Sequence, residues 1–172
     1  SLLGTLETQL PLKSFRAIAA PVGQTDILAR KLQRHFPADS VNLSDAVLGE
    51  IRHRMESSGQ AQLFDRLLAL DPEDSRAALS GVIRSAAETV LTQARHSEQD
   101  VILLTDVSIL ADYQALDLLE PWTDITSSAN PRSMWVIVPF EGPATSASLS
   151  IDGQALPLTS PAEAITIKDL HD

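Results

Sequence analysis

Cysteine is absent from this chain of 172 residues, and aromatic residues make up only 4% of it. Without cysteine, disulfides, thiolate zinc sites and cysteine nucleophiles are excluded, and a reducing compartment fits. No apolar run approaches the roughly 20 residues that a membrane-spanning helix needs. No charged segment followed by an apolar stretch marks a secretory signal. We therefore expect a cytoplasmic protein that does not associate with a membrane.

Positive charge is also scarce. The chain has 13 lysine and arginine residues against 23 aspartate and glutamate residues, which gives a formal net charge of −10 at pH 7. Nucleic-acid binding takes most of its affinity from cations that neutralise phosphates. Because the few cations here are scattered along the chain, we expect no direct contact with nucleic acid.

The scarcity is strongest in residues 96–131, which contain several acidic side chains but no lysine or arginine. The simplest interpretation of this acidic segment is a solvated surface. A face for a basic partner and a metal site are the alternatives, and we expect no metal. Trp122 lies in the same segment and is either at the edge of the core or an anchor for a partner. The candidate partner face comprises Asp112, Asp117, Glu120 and Trp122.

The chain also contains a short apolar run at residues 101–104, which is followed by Thr105 and Asp106. The run is too short for a buried helix and is typical of a central strand in a parallel sheet. Ligands of open α/β sheets bind at the carboxyl ends of such strands. Thr105 and Asp106 therefore mark a candidate ligand edge.

Similar apolar segments alternate with helical patterns along the rest of the chain. We predict strands at residues 15–20, 41–43, 101–105, 134–139 and 164–167, and helices at residues 24–36, 44–57, 71–95 and 108–119, with Thr25 and Ser44 as caps. Strands that alternate with helices favour right-handed crossovers and a parallel sheet. The expected fold is one α/β domain over residues 1–172, with a mostly parallel sheet of about five strands and helices on both faces. This layout is Rossmann-like or that of a degenerate P-loop fold.

A hairpin is also predicted near the end of the chain. Residues 148–151 and 155–158 alternate between apolar and polar side chains on either side of Asp152-Gly153, a dipeptide typical of tight turns. We expect this C-terminal β-hairpin to be an appendage of the sheet.

Residues 20–25, between the first strand and the next helix, have the position of a phosphate loop. Such a loop needs several glycines, so that backbone amides can surround the phosphates, and a lysine to meet their charge. This segment contains only Gly23 and no lysine. We expect no nucleotide hydrolysis and no cofactor, while a degenerate module that binds a nucleotide without hydrolysing it remains the alternative. Its vestigial ligand edge would comprise Gly23, Thr25, Thr105 and Asp106.

No other pattern predicts a catalytic site. Of the four histidines, only His53 has carboxylates at helical spacing within a predicted helix, Glu50 and Glu56, and a solvent-facing ion pair explains them better than a metal site does. No nucleophile elbow of the Gly-x-Ser-x-Gly type is present. Trp135, within an apolar strand, is expected in the core. We expect no catalytic residues in this chain.

Several segments, taken in order, carry a resemblance to a known family. They are residues 41–45, 101–105, 110–120, 131–139 and 151–158. Their order and spacing resemble the C-terminal region of the large kinase-like proteins of the phage growth limitation system, the type 2 branch of the BREX antiphage defences of bacteria. The resemblance covers roughly residues 15 to 167.

The resemblance implies a parent protein with a serine/threonine kinase domain elsewhere in its chain. None of the kinase landmarks is present here, since the Gly-rich loop, the Val-Ala-Ile-Lys strand, the His-Arg-Asp loop and the Asp-Phe-Gly triplet are all missing. The expected function is thus a non-catalytic accessory domain from the C-terminus of a larger intracellular defence protein. Its partners would be the rest of the parent chain and other proteins of the defence system.

Overall fold

The computed structural model describes residues 2–9, 14–59, 62, 65–66, 69, 72–124, 126, 132–140, 150–151, 154–156 and 164–166. Its helices are α1 (Leu2–Gln9), α2 (Thr25–His35), α3 (Leu43–Ser57), α4 (Pro72–Ala94), α5 (Ser108–Asp112), a 3₁₀ helix (Leu116–Leu119) and α6 (Glu120–Thr123). Its strands are β1 (Phe15–Pro21), β2 (Ala38–Asn42), β3 (Val101–Thr105), β4 (Ser133–Phe140), β5 (Ser150–Ile151), β6 (Gln154–Ala155) and β7 (Ala164–Thr166).

Four parallel strands in the order β2-β3-β4-β1 form the centre of the fold. Every residue of β3 is buried, because this strand is covered on both faces. The more polar β2 lies at the edge, where one side of the strand meets solvent and where polar side chains discourage pairing with other chains. The predicted α/β class with a parallel sheet is confirmed.

Three short strands follow β4 along the chain. The backbone of β7 runs parallel to β1, with Ala17 opposite Ala164 and Ala19 opposite Thr166. β5 pairs with β6 in antiparallel fashion, and Asp152 and Gly153 between them lie outside the described residues. Much of the chain around these strands is also outside the described ranges, so the count of about five strands and the C-terminal hairpin stay predictions.

Helices cover both faces of the sheet, and alternate strand residues point to each. On one face, α3 and α4 pack over Ile102 and Leu104. On the other, α1 and α2 pack over Val101, Leu103 and Trp135. The period of two along β3 and β4 therefore divides one continuous apolar sequence into two separate core layers.

The connections leave the sheet in opposite directions. The chain first crosses from β1 to β2 through α2 on one face. It then crosses back from β2 to β3 and on to β4 through helices on the α3–α4 face. Opposite directions on opposite faces have the same hand, in agreement with the rule for parallel crossovers. The connections after β1 and after β3 thus lie on opposite faces of the sheet, although β4 stands between these two strands. Open α/β sheets bind ligands at the carboxyl ends of their strands.

The predicted helix caps are wrong. Helix α2 begins at Thr25 itself, so Gln24 occupies the cap position, with no side-chain hydrogen bond there. Helix α3 begins at Leu43, and the Asn42 side chain accepts a hydrogen bond from the Asp45 backbone N–H at 3.0 Å. Because β2 begins three residues earlier than predicted and runs directly into α3, its last residue, and not Ser44, is the cap.

The helix predicted over residues 108–119 is interrupted. Helix α5 ends at Asp112, Gln114 has a left-handed φ of 55°, and the Ala115 N–H donates to the Leu110 carbonyl at 2.6 Å. This arrangement is the Schellman helix ending, and it redirects the chain into the 3₁₀ helix. The apolar spacing predicts the helix but carries no sign of the break, since glutamine is not the residue that usually occupies such a position.

Gln114→Gly is expected to raise the free energy of unfolding by about 0.5 to 1 kcal/mol, because glycine adopts a left-handed φ without the steric cost that other residues have there. Urea denaturation measures the change. Gln114→Ala keeps that cost and serves as the control, with no gain expected. Equal effects of the two substitutions would contradict the left-handed conformation.

Candidate functional site

The first part of the predicted ligand edge is the connection from β1 to α2. The Gln24 N–H donates to the Pro21 carbonyl at 3.0 Å, and Gly23 between them has a φ of 87°. This is a tight turn that needs glycine at its third position. A Cβ atom built on Gly23 would meet no atom within 4 Å, so the glycine is needed for its backbone angle and not for a close approach.

This turn differs from a phosphate loop in the hydrogen bonding of its backbone amides. A phosphate loop directs several unpaired N–H groups at the ligand, whereas the Gln24 N–H is engaged within the turn. Helix α2 starts immediately, and the exposed Asp26 lies in its first turn. A carboxylate there interacts favourably with the helix dipole and repels an incoming anion. The connection offers no cradle for a triphosphate.

The second part of the edge is the end of β3. Asp106 is exposed and has a left-handed φ of 51°. Its backbone carbonyl accepts a hydrogen bond from Ser44 Oγ at 3.0 Å, and its Oδ1 accepts one from Ser108 Oγ at 3.3 Å. The Thr105 hydroxyl is buried and donates weakly to the Val41 carbonyl at 3.5 Å. Asp106 is thus bound by serines in the first turns of α3 and α5. Ser44 therefore bonds the Asp106 carbonyl instead of capping α3.

Gly23, Thr25, Thr105 and Asp106 all lie at the carboxyl edge of the sheet, but the structure does not bring the two pairs side by side. Strand β4 separates β1 from β3. Neighbouring strands are about 4.8 Å apart, so the two pairs are on the order of 10 Å apart. The topology, which cannot be read from the residues themselves, determines this separation.

A second candidate site lies on the α3–α4 face. A groove of about 620 Å³ runs between α4 and residues 117–122, and we call it the acidic groove. Its walls include Glu88 and Leu91 from α4 and Arg95 directly after that helix, and Asp117, Glu120 and Trp122 from the opposite side. Three of the four residues of the predicted partner face therefore line one groove. The fourth, Asp112, is exposed at the end of α5.

Trp122 forms part of the floor of this groove. Trp122 is only 3% exposed and therefore lies in the core, which is one of the two alternatives predicted from the sequence. The guanidinium carbon of Arg95 lies 5.3 Å from the indole centroid, within the range of a cation–π interaction. The Nε atom of Arg95 is buried and has no hydrogen-bond partner among the described residues.

Asp117 is paired across the end of the groove. Arg84 Nη1 donates to Asp117 Oδ1 at 3.0 Å, and Nη2 contacts Oδ2, so the guanidinium binds the carboxylate with both prongs. The hydrogen bonds from Arg84 lower the pKa of Asp117 below its ordinary value, with a smaller contribution from the charge of Arg84. This ion pair fastens the 3₁₀ helix to α4.

Asp117→Asn is expected to lower the free energy of unfolding near pH 7 by less than about 1 kcal/mol, because both partners are largely solvated. The pKa of Asp117 is lowered on folding, so its stabilisation is full above the ordinary aspartate pKa and is lost as the pH falls through the lowered value. The difference between wild type and variant should therefore shrink in urea titrations as the pH falls below the ordinary aspartate pKa. A difference that persists there would contradict the ion pair, and Glu98→Gln, at an exposed position, is the control.

The candidates around His53 do not form a site. His53 and Glu56 are exposed on α3, and Glu50 instead forms an ion pair with Arg54 at 2.9 Å. The expected ion pair exists, but with arginine in place of histidine. Among the residues whose placement the structure describes, no three histidine, aspartate or glutamate side chains lie close enough to bind a metal ion.

Sequence reasoning missed the α4 wall of the acidic groove. Arg84, Glu88 and Leu91 recur at spacings of three or four residues, which places them on one face of α4, and Arg95 continues the spacing one residue beyond the helix. That spacing was a detectable signal. Nothing in it indicates that the acidic segment some 20 residues later is the opposite wall.

The described helices include none with the length and apolar character that a membrane span requires. No protein-family model matches the chain, and no curated protein or solved structure is significantly similar to it.

Proposed function

We propose that this domain is a non-catalytic interaction domain of a larger, cytoplasmic bacterial defence protein. The observation that supports a non-catalytic role is the closed turn after β1, whose Gln24 amide is engaged by the Pro21 carbonyl. The proposal of a defence protein follows from the resemblance to the kinase-like proteins of the phage growth limitation system. The alternation of strands with helices, and the alternating residues around Asp152-Gly153, further suggest that β7 completes a five-stranded sheet and that residues 148–158 form a hairpin beside it.

The chemistry at the carboxyl edge supports the same proposal. Hydrolysis of a nucleotide needs a cation near the phosphates and a carboxylate positioned for the metal or the attacking water. Asp26 is an anion where the phosphate would lie, and the Asp106 carboxylate accepts a hydrogen bond from Ser108. An edge of this kind favours packing and recognition over phosphoryl transfer.

A second candidate function is a module that binds a nucleotide without hydrolysing it. Val22 and Ile27 favour it, since they are 55% and 51% exposed on either side of Gly23. Apolar surface at the carboxyl end of a parallel strand is a place where a flat base can bind. We rank this function second, because the phosphates would still meet Asp26.

Thermal unfolding with ATP, GTP or NAD and magnesium separates the two functions. A ligand present at about 100 times its dissociation constant adds about 2.7 kcal/mol of stability, which raises the Tm of a domain of this size by about 5 to 10 °C. We expect no rise for any of the three ligands. A rise that Ile27→Ser abolishes would favour the second function and would contradict the first.

The interaction role is tested in the proposed parent protein. Deletion of residues 15–167 from that protein is expected to abolish protection against phage in a plaque assay, while the kinase activity of the purified parent stays unchanged. Protection without these residues would contradict the role. Loss of kinase activity in the purified deletion variant would show instead that the segment supports catalysis.

A further inference from the structure

We propose that the outward surface of α2, with the turn before it, is the docking site for a short acidic segment of a partner protein that carries an apolar residue beside its carboxylates. We call this surface the basic face, and it comprises Val22, Ile27, Arg30, Lys31 and Arg34. The inference rests on the proposed interaction function and names the surface and the chemistry of the partner. The carboxylates would approach the three cations, and the apolar side chain would pack on Val22 and Ile27.

Helix α2 differs in charge from every other described helix. It contains three lysine or arginine residues and one carboxylate, Asp26, whereas each of the other described helices has more carboxylates than cations. Helix α1, which packs on the same side of the sheet, adds only Glu7. The helix dipole explains Arg34 in the last turn but not Arg30 and Lys31 in the middle of the helix. A local excess of cations in a chain of net charge −10 indicates a surface for an anionic partner.

The three cations lie on the same side of the helix as Ile27. Counted from Ile27, their positions are i+3, i+4 and i+7, which follow one another along one helical face. Arg30 and Arg34 are exposed and Lys31 is partly exposed, whereas the buried residues of α2 are apolar and pack against the sheet. From Ile27 to Arg34 the face is about 10 Å long. Three residues of an extended segment cover that length at about 3.3 Å each.

Val22 and Ile27 provide apolar surface at the start of the same helix. They are 55% and 51% exposed, and they are the two exposed large hydrophobic residues in the part of the chain that the structure describes. Neither belongs to the packed core on either side of the sheet. Single exposed apolar residues are ordinary, but two within six residues, next to three cations, mark a surface that a partner covers. An apolar residue in the acidic segment would remove both from water.

The negative charge of the whole chain determines which anion fits. Residues 107–122, which include several carboxylates, pack on the α3–α4 face, and α2 lies on the other face. Packed layers are about 10 Å apart, so the two helix layers are about 20 Å apart, more than twice the Debye length of about 8 Å at physiological salt. A short acidic segment on α2 is therefore screened from that charge. A nucleic acid or an anionic membrane extends past α2 and meets the surrounding carboxylates.

The test uses the full chain labelled with ¹⁵N and a synthetic peptide of about 12 residues, in which two adjacent leucines lie between pairs of glutamates and serine fills the other positions. We expect amide shifts to concentrate in residues 22–35, with a dissociation constant of about 50 to 500 µM. The Trp122 indole signal should not move, since this residue is buried on the other face. An increase in salt from about 0.05 to 0.5 M should weaken binding by about threefold or more.

Two control peptides and three variants make the test specific. One control peptide replaces glutamate with glutamine and the other replaces leucine with serine, and both should bind at least about fivefold more weakly. Arg30→Ala with Arg34→Ala should weaken the acidic peptide by about fivefold or more, and Ile27→Ser by about threefold. Arg52→Glu changes the net charge by the same amount at an exposed position of α3 and should have less than about a twofold effect.

Several outcomes would overturn the docking site. They are shifts at another surface, equal binding by either control peptide, full affinity in the Arg30→Ala, Arg34→Ala protein, and no binding up to about 2 mM peptide. A single-stranded DNA of about 12 nucleotides and vesicles with about 30% phosphatidylserine are tested at the same salt. Tighter binding of either one, lost in the same double variant, would replace the acidic segment with a polyanion.

Failure of the docking site and failure of the proposed function are distinguishable. The nucleotide and plaque experiments do not involve the peptide, so the proposed function can stand when the peptide does not bind. Ile27→Ser enters both the nucleotide and the peptide experiments, and the Arg30→Ala, Arg34→Ala protein separates them, since only peptide binding needs both cations. The substituted residues are exposed, and an unchanged Tm confirms that the variants fold.

Discussion

Trp135→Ala is expected to lower the free energy of unfolding by about 3 to 5 kcal/mol, the range for removing a large buried aromatic side chain. Trp135 lies in β4 and is fully buried. Its indole packs edge-on against the Phe36 ring with the centroids 5.2 Å apart, and Nε1 donates to Ser14 Oγ. Since domains are stable by only about 5 to 15 kcal/mol, the variant will be marginally folded at best. Urea denaturation followed by far-UV circular dichroism measures the loss.

A milder substitution keeps this prediction testable when the alanine variant does not fold. Trp135→Phe retains an aromatic ring against Phe36 but removes the donor to Ser14, and a loss of about 1 to 3 kcal/mol is expected. Val22→Ala, at a position that is 55% exposed, should change stability by less than about 0.5 kcal/mol. A loss below about 1 kcal/mol for Trp135→Ala would contradict the position of Trp135 between α2 and the sheet.

Arg54→Ala is expected to have the second largest effect, a loss of about 1.5 to 3 kcal/mol. Arg54 extends from α3 across to α4, where Nη1 donates to Ser85 Oγ at 3.0 Å and Nη2 donates to Thr89 Oγ1 at 2.7 Å. Its Nε donates to Glu50 Oε1 at 2.9 Å within α3. One half-buried guanidinium therefore joins two helices through its planar set of donors, and its removal takes away three hydrogen bonds from a charged group.

The fixed geometry of the guanidinium makes Arg54→Lys informative. A lysine ammonium is a single point and cannot reach Ser85, Thr89 and Glu50 together, so about half of the loss should remain. Because two of the acceptors are hydroxyls, the loss should depend only weakly on salt. Urea denaturation at low and high salt checks both expectations, with Arg34→Ala, at an exposed position at the end of α2, as the control. Full retention of stability in Arg54→Lys would show that charge alone is needed.

The sequence predicts the two candidate sites unequally. For the ligand edge, the residue types are enough to argue against hydrolysis of a nucleotide, because one glycine and no lysine cannot surround a triphosphate at any strand order. For the partner face, a gap in positive charge and a lone tryptophan indicate only one wall. Glu88 on α4 and Arg95 just after its end complete the groove, and their contact with residues 117–122 depends on helix packing.

Sequence patterns within a single segment predict the strands, but they fail where the local structure depends on contacts with other segments. The apolar run of β3 is recognisable because burial on both faces removes the need for polar residues. β2 is an edge strand, and its first residues are polar, so the sequence pattern does not identify them as a strand. The predicted strand is therefore shifted toward the C-terminus, and the predicted α3 cap falls at Ser44 instead of Asn42. The break at Gln114 is similar, since a left-handed glutamine is tolerated only because the Leu110 carbonyl and the surrounding core stabilise it.

What the sequence by itself determines about this protein is its class: an acidic α/β domain with parallel strands and no phosphate loop. Composition and short-range periodicity carry that information, because burial and backbone geometry act on each segment separately. Only the tertiary structure decides that β4 separates the two halves of the ligand edge and that α4 meets the acidic segment in one groove. Those placements depend on contacts between residues far apart in the chain, and the free energy of such contacts leaves no local pattern.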